Sequence, residues 1–178
     1  AVNNKIVNDF SLRQFRGKNV ILFFYPLDFT FVCPTELHAF QDKEEEFAKR
    51  NTVVIGCSVD SVYTHLAWLN TPKNKGGIKG VEYPLIADLS KTIAESYGVL
   101  NEAEGIAYRG LFLIDAEGNI RHQTVNDLML GRSVDDALRI IDAWNHHQTH
   151  GEVCPANWKM GERAMSATQE GLEVFFNS

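Results

Sequence analysis

Two short apolar runs that lack polar–apolar alternation constrain the fold of this chain most strongly. They are residues 19–25 (NVILFFY) and 52–59 (TVVIGCSV), both rich in β-branched or aromatic side chains. Strands that are buried on both faces have this composition, and helices cover the faces of the sheets that contain them. The two runs therefore predict central strands of an α/β sheet.

Helical segments are predicted between and after these strands, so strands and helices alternate along the chain. The predicted helices span residues 34–50, 61–70, 90–97 and a long segment capped by Ser133, with a third short strand over 84–87. Residues 108–114 and 120–125 flank a short glycine-containing loop, which predicts a β-hairpin. Together these elements predict an α/β fold with a central mixed β-sheet flanked by helices.

Size and charge exclude several classes of protein. The chain has 178 residues and a formal net charge of −6, and its basic residues do not cluster with aromatic ones, which argues against nucleic acid as a partner. The longest apolar run, Val20–Leu27, is far shorter than the roughly 18 residues of a membrane span. Residues 1–11 lack the apolar core of a secretory signal. We therefore expect a cytoplasmic domain over residues 1–150 and a C-terminal arm over residues 151–178.

The chain has three cysteines, which is too few for a disulfide scaffold and an odd number, so that one would stay unpaired. Their spacing also lacks the C-x2-C pairs of zinc sites, and we expect no metal and no cofactor. The histidines 146, 147 and 150 have helical spacing but no accompanying carboxylate pattern, so a solvated helix end is expected there. An odd cysteine without a structural partner points to thiol chemistry in a reducing compartment.

Cys33 lies after the first predicted strand, and Pro34 suits the first turn of a helix because its missing N–H costs nothing there. Ligands of α/β proteins bind beyond the carboxyl ends of the strands. Unpaired backbone N–H groups and the positive end of a helix dipole favour a thiolate over a thiol. Cys33 is therefore either a reactive nucleophile or a packed core cysteine, and its position favours the nucleophile.

Two polar residues could serve such a thiolate. Thr30, three residues before Cys33, either places its hydroxyl on the same pocket or satisfies the loop backbone. Arg109 precedes an apolar run, and a guanidinium beside a buried strand needs an anion. That anion is either a structural carboxylate or the Cys33 thiolate. Cys57 lies inside a buried strand and is expected to be a core thiol, whereas Cys154 lies outside the predicted core.

Two cysteine motifs carry a family resemblance. Residues 24–37 (FYPLDFTFVCPTEL) resemble the peroxidatic motif P-x-x-x-T-x-x-C of the peroxiredoxins, and residues 151–158 (GEVCPANW) resemble the resolving-cysteine motif of their typical 2-Cys subgroup. The segments GCSVDSVYTHLAW, GIAYRGLFLID and VNDLMLGRSVDDALR are similar to the same subgroup. The resemblance spans nearly the whole chain, and the tail resembles the bacterial thioredoxin-dependent or alkyl hydroperoxide reductase branch.

The resemblance implies specific roles at the reaction centre. Cys33 would be the peroxidatic nucleophile and Cys154 the resolving cysteine. Thr30 and Arg109 would bind the thiolate and the peroxide oxygens. The family is an antioxidant one, whose substrates are hydrogen peroxide and organic hydroperoxides.

Four further residues would support that centre. The resemblance implies that Pro26 and Pro34 shape and shield the pocket, and that Glu36 and Arg132 hold Arg109 and the helix start. The implied fold is thioredoxin-like, in agreement with the predicted order of strands and helices. The family begins with a strand containing P-x-F ahead of the position of Ala1, and we expect this strand to be missing from the given sequence.

A reaction cycle and an assembly follow from the resemblance. Cys33 would form a sulfenic acid, which Cys154 of a partner subunit would convert to an intersubunit disulfide. Because disulfide geometry needs Cα atoms roughly 4.4–6.8 Å apart, we expect the first turn around Cys33 to unwind and the arm to loosen. A thioredoxin-like dithiol protein would reduce the disulfide, and the functional unit would be a homodimer, with five dimers in a ring.

The chain departs from members that over-oxidise easily. Those members carry G-G-L-G and a Tyr-Phe pair in the tail, where this chain has residues 76–79 (GGIK) and 175–176 (FF). We expect both changes to loosen the folded active site, favour disulfide formation and give moderate resistance to sulfinic acid.

Two other functions compete with a thiol peroxidase. A dithiol–disulfide oxidoreductase would carry C-x-x-C at the helix start, but Cys33 is followed by Pro34, Thr35 and Glu36. A ring-forming chaperone or redox-signalling scaffold could coexist with peroxidase activity. Protection of an aggregating client by a Cys33→Ser variant would favour the chaperone, and loss of peroxide consumption in that variant would favour the enzyme.

Overall fold

The computed structural model describes residues 1–2 and 5–177. These form two compact units, Ala1–Val134 and Asp135–Ser178. The strands are β1 Asn19–Phe24, β2 Thr52–Ser58, β3 Leu85–Ala87, β4 Leu100–Asn101, β5 Ile106–Ala107, β6 Arg109–Ile114 and β7 Ile120–Asn126. The helices are α1 Cys33–Asp42, α2 Glu44–Lys49, α3 Val62–Asn70, α4 Thr92–Ser96, α5 Val134–His150 and α6 Gln169–Phe176, with 3-10 turns at Leu12–Phe15 and Lys73–Lys75.

The first unit is built on a five-stranded mixed sheet in the order β3-β2-β1-β6-β7. β1 runs parallel to β2, and β2 parallel to β3, whereas β6 is antiparallel to both β1 and β7. The mixed sheet and the β6–β7 hairpin confirm the predicted fold class. β1 is the central strand of this sheet. Its carboxyl end leads into the loop that precedes α1.

β1 is buried on both faces, as its composition predicts. On one face Phe24 packs edge-to-face on Phe112, with 5.8 Å between ring centroids. On the other face Phe23 stacks on Phe40 of α1 at 4.5 Å. The core therefore fixes α1 against the sheet through an aromatic pair.

The single helix predicted over residues 34–50 is wrong, because the chain breaks at Lys43. There φ is −110° and ψ is 11°, and the Lys43 N–H donates to Phe40 O, three residues back. The tightened turn ends α1 and starts α2 at Glu44. The two helices remain in contact through Phe40 and Phe47, whose ring centroids lie 5.9 Å apart.

The predicted cap of the helix after β3 is also wrong. Asp88, not Ser90, accepts hydrogen bonds from the Ile93 and Ala94 N–H groups, at 3.1 and 2.7 Å. α4 begins at Thr92, after Lys91 in the left-handed region at φ 65°. A carboxylate satisfies the free N–H groups as well as a hydroxyl does, and the turn at Lys91 brings Asp88 within reach.

The second unit contains α5 from Asp135 onward and residues 151–177 of the predicted arm. The arm holds a helix that its weak periodicity does not predict, α6, which Thr168 caps by accepting from the Gly171 N–H at 3.0 Å. An isolated bridge pairs Val153 with Met165. Within the described part of the chain, no helix is long and apolar enough to cross a membrane.

Candidate active site

Cys33 is the first residue of α1 and is fully buried. The helix begins one residue earlier than predicted, with Pro34 as its second residue. The Sγ atom lies 3.4 Å from Nη1 of Arg109, which donates to it. The thiol therefore lies at the positive end of a helix dipole and beside a guanidinium, and both favour the anion.

Arg109 begins β6 and is almost fully buried. Its Nη1 donates both to Cys33 Sγ and, at 2.8 Å, to Glu36 Oε2. Its Nε donates to Leu128 O at 2.7 Å. The sequence leaves two partners open for Arg109, a structural carboxylate and the Cys33 sulfur. In the structure Arg109 contacts both.

Arg132 binds the same carboxylate from the other side. Its Nε and Nη2 donate to the two oxygens of Glu36 at 2.8 and 2.9 Å. Its Nη1 donates to Phe24 O and Gly110 O, at 2.7 and 2.6 Å. Arg132 therefore connects the helix that carries Cys33 to the ends of β1 and β6.

The charges of this cluster balance only when the sulfur is ionised. Two buried guanidiniums, Arg109 and Arg132, face one buried carboxylate, Glu36. Burying a net charge is costly, so the remaining positive charge favours an anion at Cys33. The cluster is therefore neutral with a thiolate and carries one excess positive charge with a thiol.

Thr30 lies half-buried in the loop between β1 and α1. Its hydroxyl donates to Leu27 O at 2.9 Å, and among the described residues this is the hydrogen bond it makes. The structure thus places Thr30 near the start of α1 without a direct bond to Cys33. With its proton on Leu27 O, the hydroxyl keeps its lone pairs to accept a hydrogen bond from a ligand.

The two prolines frame the same loop. Pro26 is buried and lies two residues after the end of β1, whereas Pro34 is partly buried in the first turn of α1. Each restricts φ and lacks an N–H, so together they limit the conformations of the loop at both ends.

The other two cysteines differ in environment, and all three are free. Burial, with a smaller effect of Asp88, raises the pKa of the Cys57 thiol far above its ordinary value. Partial burial and then Glu152 raise the pKa of Cys154, whose Sγ lies 3.6 Å from Ala143 O. Cys57 is thus placed in the core as predicted, and Cys154 is partly accessible in the second unit.

Of the three histidines at the end of α5, His147 and His150 are exposed, as expected for a solvated helix end, and His146 is half-buried. His146 Nε2 lies 2.8 Å from Glu152 Oε2, and His147 Nδ1 lies 2.8 Å from Glu152 O. The His146 ring lies 4.9 Å from the buried Trp158 ring. These contacts tie the end of α5 to the following segment, and the described residues contain no group of three side chains arranged to hold a metal ion.

A buried polar cluster near Thr30 is not predicted from the sequence. Tyr25 donates to Asp28, and His65 of α3 contacts the same carboxylate. Burial raises the pKa of Asp28, and the hydrogen bond and charge of His65 oppose that rise. The available signal is His65 itself, because a histidine on the apolar face of a helix needs a buried partner.

Two family models match the chain. The model of the AhpC/TSA family matches residues 1–123, and the model of the C-terminal domain of 1-Cys peroxiredoxin matches residues 143–178. Among curated proteins, peroxiredoxin-2 of Rattus norvegicus is 52% identical over 177 residues, covering 99% of this chain and 89% of that protein.

Solved structures agree with this similarity. The reduced 2-Cys peroxiredoxin of Plasmodium vivax has a TM-score of 0.91 and 48% identity, over 94% of this chain and 86% of that one. Enterococcus faecalis AhpC has a TM-score of 0.81 and 36% identity, over 87% of this chain and 91% of that one. Identity is thus higher to these two eukaryotic relatives than to this bacterial one. The chain belongs to the AhpC/TSA family and, within it, to the typical 2-Cys peroxiredoxins, the thioredoxin-dependent peroxidases.

Proposed function

We propose that the peroxidase reaction of this chain uses Cys33 as its nucleophile and Cys154 as its resolving thiol. The observation that supports Cys33 most strongly is the 3.4 Å contact between its sulfur and Arg109 Nη1, in a buried cluster that is neutral only with a thiolate. The substrates are hydrogen peroxide and organic hydroperoxides.

The first step is an in-line displacement at oxygen. The Cys33 thiolate attacks one oxygen of the O–O bond, forming an S–O bond while the O–O bond breaks. The leaving oxygen takes the electron pair and a proton from solvent, and departs as water or an alcohol, while the attacked oxygen keeps its hydrogen and leaves Cys33 as a sulfenic acid. Arg109 stabilises the negative charge where it develops, and Thr30 accepts a hydrogen bond from the peroxide O–H, which orients the two oxygens.

The second step is condensation of two sulfurs. The Cys154 thiolate attacks the Cys33 sulfenic acid, an S–S bond forms, and the hydroxyl leaves as water with one proton. Because Cys33 is fully buried in the first turn of α1, this step requires that turn to unwind. Cys154 is supplied by a second copy of the chain, as the resemblance of its motif implies.

Typical 2-Cys peroxiredoxins use thioredoxin and form dimers or larger oligomers. For this chain we propose a thioredoxin-like dithiol as reductant, a homodimer as functional unit and a ring of five dimers. Three free thiols fit the cytoplasm, where such a reductant keeps cysteines reduced. Sedimentation of the reduced and the oxidised protein tests the ring.

Cysteine variants test the assignment of both thiols. Wild type, Cys33→Ser, Cys57→Ser and Cys154→Ser are treated with one equivalent of peroxide and run on non-reducing gels. We expect a covalent dimer in wild type and in Cys57→Ser, and none in the other two variants. Loss of the dimer in Cys57→Ser alone contradicts the assignment, and a disulfide confined to monomers contradicts the intersubunit bond.

A further inference from the structure

Three buried polar side chains beside the loop that carries Thr30 take no part in the reaction as proposed. They are Tyr25, Asp28 and His65, with relative exposures of 0%, 6% and 0%. Tyr25 and Asp28 follow β1, and His65 lies in the second turn of α3. We refer to these three residues as the Asp28 cluster.

The hydrogen bonds of the Asp28 cluster determine where its protons lie. His65 Nε2 lies 3.0 Å from Ile86 O, and because a carbonyl can only accept, Nε2 carries a hydrogen. His65 Nδ1 lies 2.7 Å from Asp28 Oδ2, and Tyr25 OH donates to Asp28 Oδ1 at 2.8 Å. A proton therefore lies between His65 and Asp28, since two facing lone pairs would repel. Both carboxylate oxygens are held.

The backbone of Asp28 is held as well. Its N–H donates to Asp60 Oδ2 at 2.9 Å, and Ser58 Oγ donates to the same oxygen at 2.6 Å. Ser58 ends β2, so Asp28 is bound at once to the ends of β1 and β2 and, through His65, to α3 and β3. Both the backbone and the side chain of Asp28 are thus bound to other elements, two positions before Thr30.

The turn that follows Asp28 is strained and is closed by Thr30. Phe29 has φ 56°, a left-handed conformation that is unfavourable for a residue with a side chain. Its ring centroid lies 5.8 Å from that of Trp68, which lies one turn after His65 on the same face of α3. The Thr30 hydroxyl then bonds back to Leu27 O. The position of Thr30 thus depends on how Asp28 and Phe29 are held against α3.

We infer that the Asp28 cluster is a positioning device for the peroxide pocket: it holds the Leu27–Thr30 turn against α3 and so sets where the Thr30 hydroxyl meets the substrate. Asp28 and His65 are positioning residues that act through Thr30 and touch neither sulfur nor peroxide. The inference rests on the proposed roles of Cys33 and Thr30.

Two substitutions at position 28 separate positioning from folding. Asp28→Ala removes every side-chain contact, whereas Asp28→Asn keeps an acceptor for Tyr25 and a donor for neutral His65. We expect Asp28→Ala to lower the rate constant for oxidation of Cys33 by peroxide about tenfold, because a displaced orienting group costs rate even when it is distant from the chemistry. Asp28→Asn should lie within about threefold of wild type. Quenched-flow mass spectrometry of Cys33 measures both.

A second reagent reports on the thiolate alone. Iodoacetamide alkylates Cys33 without needing Thr30 to orient two oxygens, so its rate should be the same in wild type and Asp28→Ala. A general loosening of the site would change alkylation and oxidation together, and that result would overturn the inference. The wild-type rate with peroxide tests the proposed function separately, because its failure would leave Cys33 unoxidised in every variant.

His65→Gln gives an independent answer, including the case in which Asp28→Ala does not fold. Glutamine keeps a donor for Ile86 O and loses the contact with Asp28, so oxidation should slow several-fold while alkylation stays unchanged. Tyr25→Phe should act in the same direction, and Tyr83→Phe, which removes a buried hydroxyl outside the cluster, should leave the oxidation rate unchanged. Oxidation rates within twofold of wild type in both His65→Gln and Tyr25→Phe would overturn the inference.

Discussion

Glu36 is the residue on which the active-site charges depend. Its Oε1 accepts from the N–H and Nε of Arg132, and its Oε2 accepts from Arg109 Nη1 and Arg132 Nη2. Four donors on one buried carboxylate offset the cost of taking three charges out of water. Glu36 also lies in the first turn of α1. The side chain that balances the charges of Arg109 and Arg132 therefore also holds the start of the helix in place.

Replacing Glu36 with glutamine should destabilise the protein strongly. Glu36→Gln leaves two buried guanidiniums facing a neutral amide, and breaking a buried pair costs about 3–5 kcal/mol. Urea unfolding followed by circular dichroism measures the loss. Glu46→Gln is the matched control, because Glu46 pairs with Lys49 and Arg50 on the surface and should change the unfolding midpoint little. Equal effects of the two variants would contradict the charge-balance argument.

The rates at which iodoacetamide labels Cys57 and Cys154 should depend on the burial of each thiol and on pH. Since the thiolate is the nucleophile and the pKa of Cys154 is raised, labelling of Cys154 by iodoacetamide should be slow at pH 7 and rise about tenfold per pH unit up to its pKa. Cys57, fully buried and with its pKa raised much further, should stay unlabelled until urea unfolds the chain. Peptide mass spectrometry reads each site, and native labelling of Cys57 would contradict its placement.

At the scale of elements, α1 is held differently in its two halves. Its first turn is held through Cys33 and Glu36, whereas its later turns are held by the segment before β3. Tyr83 OH donates to Leu37 O at 2.8 Å, and His38 Nε2 lies 3.1 Å from Gly77 O. If α1 unwinds from its first residue to expose Cys33, the first hydrogen bond beyond the Glu36 cluster that opposes the unwinding is the one from Tyr83 OH to Leu37 O.

Removing that restraint should speed disulfide formation. Tyr83→Phe deletes the hydroxyl on Leu37 O and keeps the ring, so we expect the rate of conversion of sulfenic acid to disulfide to rise a few-fold, in line with about 1 kcal/mol for one hydrogen bond. The oxidation rate should not change. Tyr25→Phe is the matched variant, with the opposite expectation: slower oxidation and unchanged resolution. Rapid-quench sampling separates the two steps, because mass spectrometry of Cys33 measures its oxidation and non-reducing gels measure the disulfide.

At the scale of the whole molecule, the expected resistance to over-oxidation rests on two segments, residues 76–79 and residues 175–176. Within residues 76–79, Ile78 is fully buried, and a Cβ on Gly77 would lie 2.0 Å from Thr71 O. Lys79, by contrast, is exposed. In the second unit the Arg163 guanidinium lies 5.4 Å from the Phe175 ring centroid, at the position where sensitive members carry tyrosine.

We expect moderate resistance to sulfinic acid, and greater sensitivity after two substitutions. The Lys79→Gly, Phe175→Tyr double variant introduces the final glycine and the tyrosine of the sensitive pattern, with Ile78 in place of its leucine, and should form Cys33 sulfinic acid at lower peroxide than wild type. Peroxide titration with mass spectrometry of Cys33 measures the shift. Lys73→Gly, in the neighbouring 3-10 turn, is the control and should behave as wild type. Formation of Cys33 sulfinic acid in the wild-type protein at low peroxide would contradict this prediction.

The strands and the position of Cys33 at a helix start are predictable because their signals are local. The burial of β1, and of β2 apart from the half-buried Val53, shows in the composition of each strand. The strand–loop–proline order around Cys33 predicts a helix start there. The break at Lys43 and the Asp88 cap are not predictable, because each depends on how a turn brings side chains from neighbouring residues together. α6 is missed because its eight residues carry too weak a periodicity.

The sequence by itself determined that this chain forms an α/β fold with a thiol at a helix start, and that Arg109 needs an anion. Which anions it meets was decided by tertiary structure. Glu36 lies 73 positions from Arg109 in the chain, and His65 lies 37 positions from Asp28. A buried charge or imidazole requires a hydrogen-bonding partner, but the residues near it in the sequence do not show which side chain that partner is. The antiparallel pairing of β6 with β1, and the packing of α3 beside the β1 end, bring those partners within hydrogen-bond distance.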